Sequence, residues 1–331
     1  MITNLRYLSM PRALGFVLLF TFSFLGLKAQ QDAQFTQYMF NPMYYNSAFA
    51  GLSNANTLTA IHRSQWFGYD GTINPGGAPS TQFISYSMLS NWWSGGLGVH
   101  LVNDNIGPSN NLELKFSGSY YIPLSNQSSL SIGVGAGIFS SAINFDELVL
   151  VNPSDEFANL SGKESQIRPD LSLGILYRRG NFFGGFSTNH LIQPEFDFGQ
   201  DQRANRLVRH YYVSVGYDYA LSQEITITPT VLLKSVGFES YSWEVSVLGR
   251  YNDQLWGGVS YRQSESASVM IGYSILKDRS LALGYALDLV LADRNSKEPT
   301  SQEIMLIYKF PTRDNRINLG RNIIRTPRYR Y

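Results

Sequence analysis

Three groups of side chains in this sequence have the types and spacing to do chemistry. The first is a set of charges at alternate positions within stretches that are otherwise apolar or small: Glu113, Lys115, Asp218, Glu244, Arg250, Arg262, Asp288 and Glu303. Alternate residues of an extended chain share a face, so these charges lie with the Gly, Ser and Thr neighbours and opposite the apolar set. Acids and bases enclosed on one face either line a polar passage or pair with one another and fill it. The second group is two acidic pairs, Asp146-Glu147 and Asp155-Glu156, in the polar stretch 140–169. Their oxygens are the kind Ca²⁺ takes, but solvated loop carboxylates are the expectation. The third is Arg313, Arg316, Arg321, Arg325, Arg328 and Arg330 in the last 21 residues. A cationic arm of this kind suits an acidic protein surface; a plain solvated tail is the other reading.

Catalytic signatures are missing. There is no Gly-x-Ser-x-Gly elbow, no His-Glu-x-x-His and no P-loop. With no Cys in the chain, thiolate metal sites, disulfides and a Cys nucleophile are excluded. His62, His100, His190 and His210 are scattered and are expected to be packed or inward-facing residues, not ligands or bases. The run Gly133-Val134-Gly135-Ala136-Gly137 has a superficial likeness to a nucleotide fingerprint, but it lacks the last Gly and alternates like a strand. We expect no enzyme, no cofactor and no metal.

The elements that must carry these charges are strands. Leu130 to Ile138 is apolar at every even position and Ser or Gly at every odd one, giving one apolar face and one small, polar face. About fourteen such segments follow one another: 57–63, 80–88, 95–103, 112–121, 129–139, 170–178, 182–188, 210–219, 224–233, 241–251, 255–262, 267–276, 280–289 and 302–310. Aromatics cap many of the apolar sets, as in the girdles of outer-membrane barrels. The connections alternate long and short: 64–79, 104–111, 140–169, 189–209 and 290–301 are long, and 234–240 and 263–266 fall at long positions but are modest. This parity suits long outer loops, short periplasmic turns and both termini in the periplasm. A soluble all-β protein would carry charge on its second face, where this chain has Gly, Ser and Thr. The expected fold is therefore all-β, a transmembrane antiparallel up-and-down β-barrel of about 14 strands with its apolar face to outer-membrane lipid.

Composition agrees. Of 331 residues 14% are aromatic and only 15% charged, below the roughly 25% charged residues of soluble domains. Arg6 and Arg12 followed by the apolar run Ala13 to Leu27, with Leu27-Lys28-Ala29 at its end, read as a secretory signal (1–29) cleaved before Gln30. Its core is too short for a spanning helix. Three basic and no acidic residues precede Gln30, which leaves the remainder at −2; the tail has six Arg against one Asp, so 30–310 carries −7. Residues 30–56 hold many aromatics and amides without a period. They are expected to be irregular or briefly helical and to plug the barrel 57–310, with Gln37, Tyr38, Phe40, Asn41, Pro42 and, further on, Trp66 in or lining the lumen. Residues 311–331 form the basic periplasmic tail; in that compartment nucleic acid is not an expected partner.

Several of these stretches also resemble one family. Gln34-Phe35-Thr36-Gln37-Tyr38-Met39-Phe40-Asn41-Pro42, Ala48-Phe49-Ala50-Gly51, Arg63-Ser64-Gln65-Trp66 with Gly68, Pro79-Ser80-Thr81-Gln82, Asn103-Asp104-Asn105-Ile106-Gly107-Pro108, Arg209-His210-Tyr211, Leu232-Leu233-Lys234, Gly284 to Asp288, Glu303 to Leu306 and Pro327-Arg328-Tyr329 together resemble the PorP/SprF outer-membrane proteins of type IX secretion and gliding motility. The likeness covers essentially all of the chain after the signal. Ser47 stands where the family often has Pro, Gln302 where it often has His, and Thr72 to Gly77 looks inserted. The resemblance implies a non-enzymatic barrel that accepts or anchors secreted proteins, such as adhesins, through a C-terminal domain. It also implies association with the translocon and with periplasmic components of the machinery. The residues alone leave open an outer-membrane transport channel for small hydrophobic or polar solutes.

Overall fold

The computed structural model describes residues 32–53, 55–69, 78–90, 92–148, 160–198, 205–292 and 297–311. The expected signal, the pair Asp155-Glu156, the insertion Thr72 to Gly77 and the Arg-rich tail lie outside the described residues.

Fourteen strands close into one antiparallel barrel: β1 (Thr57–Ser64), β2 (Ser80–Leu89), β3 (Gly95–Ile106), β4 (Ser109–Ser125), β5 (Ser128–Asn144), β6 (Lys163–Arg179), β7 (Phe182–Asn189), β8 (His210–Tyr217), β9 (Ile225–Val236), β10 (Ser240–Tyr251), β11 (Leu255–Arg262), β12 (Ser266–Ser274), β13 (Leu281–Val290) and β14 (Thr300–Lys309). Each pairs with its sequence neighbours, and β1 pairs with β14 from Thr57↔Lys309 to Ser64↔Gln302 to complete the ring. Closure leaves no bare edge, the condition for strands in lipid. No described helix is long and apolar enough to cross a membrane.

Alternation sets the two faces. On β5, Ile132 and Val134 are 43% and 51% exposed on the outside while Ser131, Gly133 and Gly135 are buried. The same band continues through Val247, Val259, Val269, Ile271 and Leu283, a continuous apolar surface that only lipid or another apolar partner covers. Aromatics flank it. Tyr120, Tyr217, Tyr251, Tyr273 and Phe310 are exposed near one rim, and Tyr211 stacks on Phe238 at 4.3 Å near the other.

The strands run further than their apolar alternation. The stretch 104–111, expected to be a long connection, is only the turn Gly107-Pro108, because β3 and β4 stay paired from Asp104↔Asn111 to Ile106↔Ser109. Likewise β5 and β6 remain paired out to Asn144↔Lys163. Polar residues carry these extensions past the apolar band; hydropathy marks depth in the bilayer, whereas the ladder needs only backbone. At the long-connection end Phe145, Phe196 and Phe198 form a small apolar cluster with Phe139 and Leu207 packed on it. At the other end turns are tight; Asn252 and Asp253 take φ of 49° and 51° in the three-residue turn between the paired Tyr251 and Leu255 of β10 and β11, left-handed values that Asn and Asp tolerate.

Residues 32–52 run inside the barrel. Asp32 lies beside His190 and His210 at the long-connection end. The segment then passes through three short helical turns, Tyr38–Phe40, Pro42–Tyr45 and Ser47–Phe49. It leaves past Gly51, which sits against Met88 and Gly96 at the short-turn end with φ of +66°. Asp32 and Lys309 therefore lie at opposite ends. The described chain runs from the long-connection mouth down the lumen before β1 turns back up; the two ends of the full chain, both expected on the periplasmic side, lie outside the described residues.

Candidate functional site

Among the described residues, polar and charged side chains converge in the lumen and on the segment within it. They meet through three kinds of contact.

On the wall made by β1, β13 and β14 the contact is ionic. Arg63 reaches Asp288 Oδ2 at 2.6 Å and Glu303 Oε2 at 3.4 Å. Glu303 in turn accepts the backbone N–H of Thr36 at 2.8 Å and of Gln37 at 2.9 Å. The Thr36 hydroxyl donates to Asp288 at 2.7 Å and accepts from Arg63 Nη1 at 2.8 Å. All four side chains are buried. A carboxylate that takes two successive amides fixes the register of the segment, because any slip leaves buried donors unpaired.

Next to it, on β9 to β11, Arg262 Nε donates to Glu244 at 2.9 Å and its Nη2 to the Phe35 carbonyl at 3.4 Å. Its Nη1 reaches Glu265 at 2.8 Å. Lys234 donates to the Gln34 side chain at 2.8 Å. Arg250 pairs with Asp218 at 3.2 Å. Glu265, in the turn outside the strands, is penalised by burial, but Arg262 and Lys234 hold its carboxyl below the usual range.

On β4 to β6 the contact is one of shape. A Cβ on Gly133 would meet the backbone of Ser47 and Ala48, and one on Gly135 the hydroxyls of Ser172 and Ser47. Ser131 donates to the Ala48 carbonyl at 2.8 Å and Ser119 to that of Ala50 at 2.7 Å. The small face of the alternating stretch is thus the groove for Ser47–Ala50.

Between these walls lies an apolar core. Phe35, Tyr38, Met39, Tyr44 and Tyr45 of the segment pack with inward side chains such as Ile61, Phe83, Tyr212, Leu232, Trp256, Met270 and Met305. Inward positions are therefore partly apolar, which alternation alone did not indicate; the segment makes a dry interior that these residues fill. Tyr38 still satisfies its hydroxyl through Ser246 at 2.7 Å and Thr230 at 2.9 Å.

Glu113, Lys115, Glu244, Arg250, Arg262, Asp288 and Glu303 are all buried in the interior, in pairs. Gln37, Tyr38, Asn41 and Pro42 belong to the segment; Phe40, half-buried, packs on Trp256 at 5.4 Å between ring centres. Trp66 does not join them. It follows β1 at the long-connection end, donates its backbone N–H to Ser301 at 3.1 Å and stands at 5.7 Å under Lys297. Asp146 accepts the Gly162 amide at 2.9 Å and Glu147 accepts from Asn144 at 2.7 Å, as loop caps.

Sequence reasoning missed Arg63, Asp170 and Asp32. Asp170 completes a buried relay: Glu113 to Lys115 at 2.6 Å, Lys115 to Asp170 at 3.0 Å, Asp170 to His190 at 3.2 Å, and His190 to Asp32 at 2.8 Å. Burial opposes charge on both ends of that last contact, yet the two histidines hold Asp32 below the usual carboxylate range. Asp32 and Asp170 push His190 up to about 10. Asp32 and His210 also face a cavity of about 330 Å³ at the long-connection mouth, lined further by Asp104, Glu113, Phe139 and Phe196.

A sequence profile of the type IX secretion system membrane protein PorP/SprF matches residues 27–308. The chain belongs to the PorP/SprF family. No curated protein matches the sequence. Among solved structures, the toluene transporter TbuX of Ralstonia pickettii is similar at 11% identity and a TM-score of 0.51, over 81% of this chain and 93% of that one. A FadL homologue of Pseudomonas aeruginosa is 14% identical over 80% and 94%, TM-score 0.45. The toluene transporter TodX of Pseudomonas putida is 12% identical over 86% and 95%, TM-score 0.45. At these identities the likeness is one of fold. This PorP/SprF protein is an outer-membrane β-barrel, and its family is one of type IX secretion system membrane proteins.

Proposed function

We propose that this PorP/SprF barrel is a non-enzymatic docking component of type IX secretion that accepts or anchors secreted proteins, surface adhesins among them, through their C-terminal domain. The observation that supports this most is the occupied lumen. The segment 32–52 runs through it, and buried ion pairs and tight backbone contacts lock it to the wall. A barrel whose interior is spent on holding its own chain works through its two ends. In this reading residues 1–29 are removed as a signal, the long connections face outward to the cargo, and the short turns face the periplasm. Phe310 lies at the short-turn end beside Asn56, so the basic tail starts there. Its six Arg would dock on an acidic surface of the translocon or its periplasmic components.

Co-purification in mild detergent, after crosslinking in cells, should recover a secreted protein by way of the long connections and a machinery subunit by way of the tail. Changing the six tail Arg to Gln should weaken the second association alone, and added salt should weaken it in the unaltered protein. Recovery of the barrel by itself, with export unchanged on its deletion, would overturn the reading. Solute-driven swelling of liposomes by the intact barrel would replace it with a transport channel.

A further inference from the structure

Where the inner segment meets the long-connection mouth, three metal-ligating side chains converge from three separate parts of the chain. Asp32 comes from the segment, His190 from the connection after β7, and His210 from the first residue of β8. One ligand atom from each lies within 4.8 Å of the others. Both histidines are buried, and Asp32 is half-buried.

Each of the three is oriented from behind. His210 Nδ1 stands 2.9 Å from the Val208 carbonyl and 3.8 Å from Asp32 Oδ1, and Nε2 accepts the Asp32 backbone N–H at 3.3 Å; the neutral ring thus carries its proton on Nδ1 and its lone pair on Nε2, where a metal ion would take the place of that N–H. His190 turns Nδ1 to Asp170 at 3.2 Å and Nε2 to Asp32 Oδ1 at 2.8 Å. The Tyr212 hydroxyl donates to Asp32 Oδ2 at 2.6 Å, so Oδ1 faces the centre. Imidazoles backed by a carboxylate or a carbonyl, and carboxylates held by a donor, are the recurrent outer layer of protein metal sites. Two His and one carboxylate with a further position open is a ligand set for zinc-like cations. Donor atoms around a tetrahedral zinc, at bond lengths of about 2.0 Å, stand roughly 3.3 Å apart. That spacing falls between the 2.8 Å contact and the 4.8 Å limit seen here. The cavity of about 330 Å³ that Asp32 and His210 line supplies the entry path and the open side.

Charge points the same way. Asp32, Asp170 and Glu113 belong to one buried chain of contacts with a single ammonium, Lys115, and His100 closes on Glu113 at 3.1 Å. Three carboxylates against one ammonium make this buried chain acidic, a surrounding that suits a cation.

We propose that Asp32, His190 and His210 bind a divalent transition-metal ion of zinc-like ligand preference, which staples the inner segment to the barrel wall at its long-connection mouth. The full chain, purified in detergent and stripped with a chelator, should take up one equivalent of Zn²⁺ in equilibrium dialysis. Co²⁺ in its place should give visible d–d bands of a nitrogen–oxygen site. His210→Gln should abolish stoichiometric uptake, whereas His62→Gln, on the outer face of β1, should leave it unchanged. Tyr212→Phe should keep the stoichiometry and weaken affinity about 10-fold, the usual scale for an outer-layer partner. Heat-modifiable migration on gels reports folding of each variant. If His210→Gln fails to fold, Asp32→Asn, carried on the segment and not on the wall, makes the same test. Uptake well below one equivalent, or undiminished uptake by a folded His210→Gln or Asp32→Asn variant, overturns the proposal and leaves the trio as a protonated ion-pair cluster.

Discussion

Two walls hold the inner segment by opposite means. The wall of β1, β13 and β14 uses charge: Arg63, Asp288 and Glu303 against Thr36 and the Gln37 amide. The wall of β4 to β6 uses the absence of side chain: Gly133 and Gly135, flanked by Ser117, Ser119 and Ser131, against Ser47–Ala50. A charged contact is specific in register but fails when one partner is lost, since the other is left buried and bare. A close backbone contact tolerates the loss of a hydroxyl but not the gain of a methyl. The first wall decides where along the lumen the segment stops, and the second decides how near it comes.

The largest expected effect breaks the charged wall. Arg63→Met leaves two buried carboxylates facing each other and should cost about 3–5 kcal/mol, read as a shifted urea midpoint for the protein in lipid vesicles. A second change, Asp288→Asn, should return part of that loss; no recovery would mean that the network is not coupled. Next comes the small wall. Gly133→Ala should destabilise by about 1–3 kcal/mol through overpacking. The sign decides the matter, because backbone entropy alone favours Ala in a strand by about 0.5–1 kcal/mol. A stabilised Gly133→Ala variant would show that the segment does not press on β5 as described.

Much of this was legible from residue order, and the gaps have physical causes. The strands were legible in the sequence, many of them through clean alternation, because lipid demands an apolar outer face whatever the inner one does. Strand ends on β3 to β6 were not, because polar residues such as Asp104, Asn111 and Lys163 extend the ladder where lipid no longer selects them. The inward phase of Glu113, Lys115 and Glu303 was legible; their partners were not. Arg63 meets Glu303 only because ring closure sets β1 beside β14, with those two residues opposite each other. That register cannot be read from two segments about 240 positions apart. Asp32 and His190 lie in stretches without a period, so alternation says nothing of them. The apolar interior was hidden for a related reason: Ile61, Phe83 and Met305 face inward only because the chain supplies its own filling. The Gly and Ser face of β5 was legible as small, though what it makes room for became clear only with the segment in place.

The smallest expected effect sharpens the contrast within a single strand. Ser131 and Gly133 stand two residues apart on the inner face of β5, and both touch Ala48 or would do so if enlarged. Ser131→Ala removes one neutral hydrogen bond to the Ala48 carbonyl and adds no volume, so it should cost about 1 kcal/mol. Gly133→Ala removes nothing and adds one methyl against backbone that has no rotamer to change, so it should cost at least as much. The same urea midpoints, in the same vesicles, compare them directly. If Ser131→Ala proved the worse of the two, hydrogen bonding would be the grip on this side as well, and the two walls would differ in degree and not in kind.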